Sequence, residues 1–486
     1  MKKKLGQILS ETDYLSLSGE RDRSITGITH DSRSVKPGNA FVAVDGARAD
    51  GHDFIGKALE NGARAVFGEK SRSQLSVKPD TYVRVADSRE FLSRISHIFY
   101  GKPTEDLYVV GITGTNGKTT TAHFTNLILG ESDSGIISTI TNKDSPDAEG
   151  PVTTPEAPEI NRMANETRKT GRRNLILEVS SHSLSLKRVS SVEFDCGVFT
   201  NLTRDHLDYH ESMEEYGKEK LKLFKALSEE DTGILNSDDG FSETIADVTR
   251  AEVIKYGLEG SPDVFAAEIS QSRREIHFTL HSPWGKARVE LGFPGRYNVY
   301  NALAAATVGL VNGKELESVV ADLSRAGELP GRMERIELNT GNDVYVDFAH
   351  NPGALERALK DLKRIYESVF VVFGCGGESD RGKRPEMGKI ASELADSAFI
   401  TDDNPKKEDR MKILEEIESG ITTKDNYEII PDRKEAIEAA LEKITGEGCL
   451  LIAGKGHEQH QIVSGEWLDY SDADFVKKLA REKSLL

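Results

Sequence analysis

The chain has 486 residues, with 81 aspartates and glutamates against 63 lysines and arginines, and a formal net charge of −18. At roughly 100–200 residues per domain, this length predicts about three domains. The negative charge argues against a general nucleic-acid-binding protein, because such proteins bind phosphates chiefly through lysine and arginine. A hydrophobic content of 37% without a long polar repeat argues against global disorder.

Cysteines and apolar segments predict where the protein resides. Cys196, Cys375 and Cys449 are odd in number and far apart, which fits neither a disulfide framework nor a zinc site and favours a reducing compartment. The first residues, MKKK, begin like a signal peptide, but polar residues interrupt the apolar stretch that should follow. No window approaches 18 apolar residues. We therefore expect a cytoplasmic protein that does not insert into a membrane.

The first predicted region covers residues 1–103 and mixes strand and helix signals. An apolar run at 40–44 predicts a strand, residues 54–59 predict a helix, and residues 65–67 predict the next strand. The sequence Gly-Lys-Pro at 101–103 breaks the pattern and predicts a domain boundary.

The second predicted region covers residues 104–330. Short apolar runs at 174–179, 194–199 and 233–236 alternate with helical segments, which favours βαβ units and a parallel sheet. Residues 263–292 alternate more strictly between apolar and polar residues, which predicts antiparallel strands.

The third predicted region repeats the alternation of strands and helices, with strands at 344–348, 369–373 and 449–453. We expect an α/β protein whose central doubly wound, mainly parallel sheet carries a smaller antiparallel part. The predicted domains cover residues 1–103, 104–330 and 331–486.

A glycine- and threonine-rich loop connects a predicted strand to a predicted helix at Gly111–Thr120. Glycines let such a loop wrap a phosphate, and Lys118 would reach the β- and γ-phosphates while the Thr119 hydroxyl would hold Mg²⁺. Ile112 replaces the first glycine of the strict GxxxxGK[ST] pattern, so the loop is a variant. It predicts ATP or GTP binding, and an ordinary strand-to-helix turn is the alternative. The predicted nucleotide contacts here are Gly114, Thr115, Asn116, Gly117, Lys118, Thr119 and Thr120.

Acidic and histidine side chains follow two of the predicted strands of the central sheet. Glu178 ends one strand, and the histidines and aspartates of residues 200–210 follow the next. Ligands bind at the carboxyl ends of strands in open α/β sheets, and Mg²⁺ prefers oxygen ligands beside substrate phosphates. We expect a metal site at this edge. For the histidines, the capping of a helix is the alternative.

Ten motifs occur in order along the chain: GTNGKTT, EVSSHSL, NLTRDHLDYH, YGKEKLKLF, RYNVYN, PGRMERI, DFAHNPGAL, GCGGESDRGKRPEMG, DDNPK and GKGHEQHQ. Together they resemble the Mur ligases, and within them the enzymes that add the third amino acid to UDP-N-acetylmuramoyl-L-alanyl-D-glutamate. The resemblance covers nearly the whole chain.

The resemblance implies a fold and a reaction. It implies an N-terminal UDP-binding domain, a central ATP-binding domain and a Rossmann-like C-terminal domain that presents the amino acid. ATP phosphorylates the substrate carboxylate, and the incoming amine attacks the acyl phosphate. The implied ligands are ATP, Mg²⁺, the UDP-muramoyl dipeptide and a free diamino acid. We expect the protein to be a monomer.

The resemblance also assigns residues by position. Catalysis is assigned to Lys118, Glu178, His206 and Lys220, and Mg²⁺ to Thr119, Glu178, His206 and a carbamylated Lys220. Further ATP contacts are Asn298, Asn301, Arg332, Asp347 and His350, with a helix cap as the alternative for the two asparagines. UDP-substrate contacts are Ser32, Thr153, Thr154, Ser180 and Arg188. Amino-acid contacts are Arg384, Asp403, Asn404, Pro405, Lys406, Gly454 and Glu458.

Several positions depart from the family pattern. Val152 and Leu186 replace side chains that form hydrogen bonds, so each weakens UDP-substrate binding by about 1 kcal/mol or indicates a different sugar-peptide. Phe348 and Asn351 replace the commoner tyrosine and threonine of their motif.

Lys406 is the departure that bears on the added amino acid. It follows Asp-Asn-Pro where relatives that add meso-diaminopimelate carry arginine and many that add lysine carry a small residue. A cation attracts a second carboxylate and repels the ε-ammonium of lysine, so we favour meso-diaminopimelate over L-lysine. The alternative is that Lys406 points to solvent beside Lys407. Rival functions are a D-glutamate-adding or folylpolyglutamate-type ligase and a catalytically silent nucleotide-binding protein.

Overall fold

The computed structural model describes residues 1–46, 49–141, 153–423, 425–444 and 446–486. Within these residues, three large sheets follow one another along the chain, and helices cover them. The predicted α/β fold class is confirmed.

The first sheet has five strands in the order β2-β7-β6-β5-β4, and only the β2–β7 pair is antiparallel. β1 and β3 form a separate small pair. The strands are β1 (Lys3–Lys4), β2 (Ser16–Ser18), β3 (Ser24–Ile25), β4 (Ile28–Thr29), β5 (Ala40–Val42), β6 (Ala65–Gly68) and β7 (Tyr82–Arg84). The helices are α1 (Leu5–Leu9), α2 (Ile55–Glu60) and α3 (Ser88–Tyr100), with 3₁₀ turns at Gly51–Phe54, Arg72–Gln74 and Pro103–Asp106.

The central sheet has nine strands in the order β16-β15-β14-β13-β12-β11-β8-β10-β9. The strands are β8 (Tyr108–Thr113), β9 (Ser134–Ile137), β10 (Asn174–Glu178), β11 (Cys196–Phe199), β12 (Thr232–Asn236), β13 (Glu252–Gly257), β14 (Val264–Gln271), β15 (Ile276–Ser282) and β16 (Gly285–Leu291). The helices are α4 (Lys118–Leu129), α5 (Ala157–Lys169), α6 (Ser181–Ser185), α7 (Met213–Ala226), α8 (Phe241–Ala246), α9 (Arg296–Val311) and α10 (Leu316–Ser324).

Helices cover both faces of the central sheet. Val110 packs into a core with helices α4 and α9, whereas its neighbour Val109 packs into a second core with α5 and α7. Strands covered on both faces read as continuous apolar runs, which is why the sequence predicted them. Strands β14 to β16 pair antiparallel, as predicted, and along β15 buried Ile276, Phe278 and Leu280 alternate with less buried residues.

The third sheet has six strands in the order β17-β18-β22-β19-β20-β21, and only the β17–β18 pair is antiparallel. Strands β23 and β24 form a separate hairpin. The strands are β17 (Glu334–Glu337), β18 (Asp343–Asp347), β19 (Ser368–Phe373), β20 (Ser397–Ile400), β21 (Tyr427–Ile429), β22 (Gly448–Ala453), β23 (His460–Val463) and β24 (Glu466–Asp469). The helices are α11 (Pro352–Leu362), α12 (Lys383–Leu394), α13 (Arg410–Glu418), α14 (Arg433–Lys443) and α15 (Asp472–Glu482).

The strand order brings the predicted catalytic segments together. Strand β8, which leads into the phosphate loop, pairs directly with β10 on one side and β11 on the other. Glu178 at the end of β10 and the loop after β11 therefore directly flank the phosphate loop.

Across the described residues, no helix combines the length and apolar character needed to cross a lipid bilayer. Cys196, Cys375 and Cys449 are buried and form no disulfide.

Candidate active site

Two glycines give the phosphate loop its shape. Gly114 and Gly117 have φ of +144° and +89°, which side-chain-bearing residues rarely adopt. A Cβ on Gly114 would lie 1.9 Å from Thr200 Oγ1, and one on Gly117 would lie 2.5 Å from Asn301 Oδ1. The loop therefore packs against its neighbours through its backbone, and α4 begins at Lys118.

Two lysines converge on one carbonyl oxygen of this loop. Lys118 Nζ donates to the carbonyl oxygens of Gly114 and Thr115, both at 2.9 Å, and Lys220 Nζ from α7 donates to Gly114 O at 3.0 Å. Lys220 is buried and also lies over the Tyr216 ring, 4.3 Å from its centroid. Desolvation lowers the pKa of Lys118, and it lowers the pKa of Lys220 to well below the ordinary value.

Glu178 is fully buried at the end of β10 and faces the start of α4. Its Oε2 accepts from Thr119 Oγ1 at 3.0 Å, and its Oε1 accepts from the backbone N–H of Thr139 at 3.0 Å. Burial raises the pKa of Glu178, while the charge of Lys118 opposes the rise. The sequence analysis did not identify Thr139, because nothing in its local sequence marks it.

Aromatic and imidazole side chains pack around His206, in the segment of residues 200–210 for which a metal site was predicted. The rings of His182 and His206 lie 4.8 Å apart between centroids, and Tyr209 and His210 pack against His182 at 4.2 and 5.7 Å. Desolvation lowers the pKa of His206 to about 3. A neutral imidazole is the form that ligates a metal ion.

Asn351 joins the phosphate loop to the C-terminal region. Asn116 and Asn351 exchange amide hydrogen bonds of 3.3 and 2.9 Å, and Asn351 Nδ2 also donates to Asp205 Oδ2 at 3.0 Å. Asn351 Oδ1 in addition caps α11 by accepting from Ala354 N. Burial opposes ionisation of Asp205, but its interactions with His206 and His350 hold the pKa of Asp205 well below its usual range. The sequence analysis included Asp205 in the edge cluster of residues 200–210, but it did not predict the contact with Asn351.

Arg332 approaches the same loop from the linker between the central and third sheets. Its Nη2 donates to Thr119 Oγ1 at 3.2 Å, and its guanidinium stacks 4.7 Å above the centroid of the Phe348 ring. The preceding residue, Gly331, has φ of +63°, and a Cβ there would lie 2.0 Å from the backbone nitrogen of His457. Asp347 accepts from the backbone N–H of Met333 at 2.7 Å.

Several of the predicted ATP residues line a cavity of about 470 Å³. Its walls include six of them: Asn116, Gly117, Thr120, Asn301, Arg332 and Asp347. Asn301 donates to Asn298 Oδ1 at 3.2 Å, and Asn298 donates to the carbonyl oxygen of Pro294 at 3.0 Å. His350 Nε2 lies 3.4 Å from Asp205 Oδ2. Polar residues that the sequence analysis did not identify also line the cavity, among them Asn236, Asp238 and Tyr300.

The predicted UDP-substrate residues lie beside Glu178. Thr154 Oγ1 donates to the carbonyl oxygen of Glu178 at 2.8 Å and to Ser180 Oγ at 3.1 Å. Arg188 donates to the Thr154 carbonyl oxygen and to Glu156, both at 2.8 Å. Thr153 Oγ1 accepts from Thr139 Oγ1 at 3.2 Å. Ser32 is buried in the N-terminal region, Leu186 directly follows α6 as its C-cap residue, and Val152 lies outside the described residues.

The predicted amino-acid residues surround a buried lysine that the sequence analysis did not identify. Lys455 Nζ donates to Asn404 Oδ1 at 2.9 Å and to Glu458 Oε2 at 2.8 Å. Gly454 has φ of +116°, and a Cβ there would lie 2.5 Å from Asp403 Oδ2. The GKGHE motif that supplied Gly454 and Glu458 contains Lys455, so the signal was present.

The β23–β24 hairpin fixes the backbone at Lys406. Lys406 N donates to the carbonyl oxygen of Ile462 at 3.0 Å, Gly465 N donates to Lys406 O at 3.0 Å, and Lys406 has φ of +55°. Its ammonium has no hydrogen-bond or ion-pair partner among the described residues. Pro405 is buried beside it.

Arg384 is fully buried under the same region and already holds two carboxylates. It donates two hydrogen bonds of 2.8 Å to Glu408 and one of 2.7 Å to Glu416. A substrate carboxylate would have to share or displace these partners, so the amino-acid contact at Arg384 stays a prediction.

Three stretches of the chain match Mur ligase families. Residues 24–100 match "Mur ligase family, catalytic domain", residues 112–309 match "Mur ligase middle domain", and residues 331–456 match "Mur ligase, glutamate ligase domain".

Curated relatives match over nearly the full length. A UDP-N-acetylmuramoyl-L-alanyl-D-glutamate–2,6-diaminopimelate ligase of Alkaliphilus metalliredigens is 37% identical over 490 residues, covering 99% of this chain and 98% of the relative. The protein of the same name from Bacillus velezensis is 40% identical, covering 93% of this chain and 94% of the relative. A solved structure of a ligase of that name is 29% identical with a TM-score of 0.67, and the match covers 100% of both chains.

Proposed function

Because the chain belongs to the Mur ligase family, whose members are ATP-dependent amide ligases, we propose that it joins meso-diaminopimelate to UDP-N-acetylmuramoyl-L-alanyl-D-glutamate. The γ-phosphoryl group of ATP passes to the substrate carboxylate, which gives an acyl phosphate and ADP. The amine of the amino acid then attacks the acyl carbon. The tetrahedral intermediate collapses to the amide and releases phosphate, and the amine loses a proton.

The observation that carries this proposal is the pair of cationic side chains that reach the phosphate loop. Lys118 lies against the Gly114 carbonyl oxygen, and Arg332 donates to Thr119. The reaction must bring a carboxylate and a triphosphate together, so fixed positive charge where they meet lowers the barrier. We assign Lys118 and Arg332 to the phosphates of ATP.

The residues present fit Mg²⁺. The Thr119 hydroxyl and the Glu178 carboxylate place two oxygens 3.0 Å apart beside the phosphate loop, and Mg²⁺ prefers oxygen ligands. His206 would supply a neutral nitrogen to a second ion. When bound, Mg²⁺ would neutralise charge on the γ-phosphate and the reacting carboxylate.

We further propose that Lys220 is carbamylated. A carbamate forms from a neutral amine and CO₂ with loss of a proton, and desolvation at this buried position lowers the pKa of Lys220, which favours the neutral amine. The product would carry two oxygens at the end of a buried side chain, next to the proposed metal ligands.

We propose that the protein works as a monomer. We propose that residues 1–103 bind the UDP part, residues 104–330 bind ATP, and residues 331–486 present the amino acid. One large sheet falls within each of these ranges, which supports the division.

Two charged side chains near Asn404 support meso-diaminopimelate as the amino acid. Its distal end carries both a carboxylate and an ammonium. The unpaired ammonium of Lys406 suits the carboxylate, and Glu458 suits the ammonium. L-Lysine offers only the ammonium, so Lys406 would repel it.

Phosphate release tests this function. We expect release only when the UDP-muramoyl dipeptide and meso-diaminopimelate are both present, with a product mass equal to their sum less water. Preferential use of L-lysine would overturn the choice of amino acid. Ligation of D-glutamate to the UDP-muramoyl-monopeptide would favour the rival ligase, and ATP binding without turnover would favour the silent protein.

A further inference from the structure

Lys455 brings three of the predicted amino-acid contacts together. Its side chain is fully buried, and Nζ donates to Glu458 Oε2 and Asn404 Oδ1 and lies 4.0 Å from Asp403 Oδ1. The side-chain amide of Asn404 is held in one orientation and does not flip, because its Oδ1 also accepts from the backbone N–H of Ile462 at 3.0 Å. Lys455 and the hairpin therefore fix the orientation of this amide.

The two oxygens of Glu458 have different surroundings. Oε2 accepts from Lys455 at 2.8 Å and from Asn404 Nδ2 at 2.8 Å. Oε1 accepts no hydrogen bond from the part of the chain that the structure describes. The side chain is 19% exposed, so an incoming group can reach it. Glu458 is thus a carboxylate with one oxygen fixed and the other open.

We propose that Lys455 is a positioning residue that aims Glu458 Oε1 at the distal ammonium of the incoming diamino acid. This inference rests on the proposed function. Without Lys455, Asp403 and Glu458 would be neighbouring buried carboxyl groups that lack a counter-ion, and one would take up a proton. A protonated Glu458 would be a poor acceptor for an ammonium.

The charges around Glu458 agree with this role. Burial opposes its ionisation, but Lys455, the Asn404 amide and His460 hold the pKa of Glu458 below its usual value. Burial and the charge of Glu458 raise the pKa of Asp403, while Lys455 opposes the rise. Arg433 and Asp472 also lie near Asp403 and pair with each other at 2.7 Å. Lys455 is therefore the principal cation that keeps Glu458 charged.

An analogue without the distal amine separates this role from general support of the fold. The test compares meso-diaminopimelate with 2-aminopimelate in wild type and in Lys455→Met. We expect KM for meso-diaminopimelate to rise about 10- to 100-fold, with KM for ATP and for 2-aminopimelate changed less than about twofold. Lys407→Met, at the exposed lysine that follows Lys406, is the control. It should leave KM for meso-diaminopimelate, for 2-aminopimelate and for ATP unchanged. Equal losses for both amino acids would overturn the proposal.

A double-mutant cycle tests whether Lys455 acts through Glu458. In the Glu458→Gln background, Lys455→Met should change KM for meso-diaminopimelate by less than about twofold, whereas independent effects would multiply and refute the proposal. If Lys455→Met does not fold, Lys455→Gln replaces it, since it keeps a donor. If the wild-type protein ligates neither amino acid, the proposed function itself is overturned. If the wild type ligates normally but the effects of the two substitutions on KM multiply, only the role of Lys455 is overturned.

Discussion

The phosphate loop and the amino-acid pocket both contain buried lysines, but they balance the charge differently. Lys118 and Lys220 donate to backbone carbonyl oxygens, and neither has a carboxylate within ion-pair distance in the described ranges. Lys455 instead meets Glu458 at 2.8 Å with Asp403 nearby, so two carboxyl groups face one ammonium. At the first site Lys118 is a cation without a paired carboxylate, which suits a phosphate, and the second site has a spare acceptor, which suits an ammonium. The local charge balance of each site thus indicates its ligand, which the net charge of the chain does not.

The largest effect is expected from removing the charge that the phosphate loop presents. Lys118→Ala should lower kcat about 10³-fold or more, because this ammonium would stabilise the charge of the transferred phosphoryl group. Phosphate release measures it. Lys118→Arg should recover part of the rate if charge matters more than shape; near-normal turnover of the alanine variant would contradict the assignment.

Lys220→Ala is expected to lower kcat about 10²- to 10³-fold while leaving UDP-substrate binding intact. Short carboxylic acids should restore part of the activity, since they replace the carbamate oxygens. Lys222→Ala, an exposed lysine on the same helix paired with Glu219, is the control. Normal turnover of Lys220→Ala would refute the carbamate at Lys220. Failure of short carboxylic acids to restore activity would refute it as well.

Gly117→Ala tests the backbone construction of the phosphate loop. A Cβ 2.5 Å from Asn301 Oδ1 at φ of +89° should weaken ATP binding about 10- to 100-fold. Gly313→Ala is a matched control, with φ of +81° and no atom within 4 Å of the new Cβ. ATP titrations of the two variants separate the clash from backbone strain, and equal affinities would show that the clash has no effect.

Lys406→Ala tests the amino-acid pocket from its cationic side. KM for meso-diaminopimelate should rise about tenfold, because one charge-assisted contact is lost, while KM for ATP stays constant. Lys407→Ala is the control. If KM for meso-diaminopimelate does not move, Lys406 points to solvent, as the alternative states.

The smallest effect concerns stability in acid. The hydrogen bonds from Arg384 lower the pKa of Glu408 to about 2. Since the folded pKa lies below the unfolded value of about 4.3, the stabilisation is complete above that value and disappears as the pH falls towards 2. Melting temperatures from pH 5 to pH 2 should fall less steeply for Glu408→Gln than for wild type. Parallel curves would show that this carboxylate contributes nothing.

Local patterns predicted more of this protein than long-range pairings did. The phosphate loop, the position of Glu178 and the antiparallel strands follow from short stretches of sequence, because turn geometry and burial act over a few residues. Asn116 and Asn351 meet across 235 residues of chain, and no spacing rule connects them. The pairing of Arg384 with Glu408 and Glu416 is equally invisible, because it depends on how α12 packs against α13.

One peptide bond separates the two sites at Gly331 and Arg332. Gly331 abuts the backbone at His457, beside the amino-acid loop, while the next side chain bonds Thr119 at the start of α4. Because consecutive residues contact the two sites, the packing of Gly331 against the backbone at His457 also constrains where the side chain of Arg332 begins.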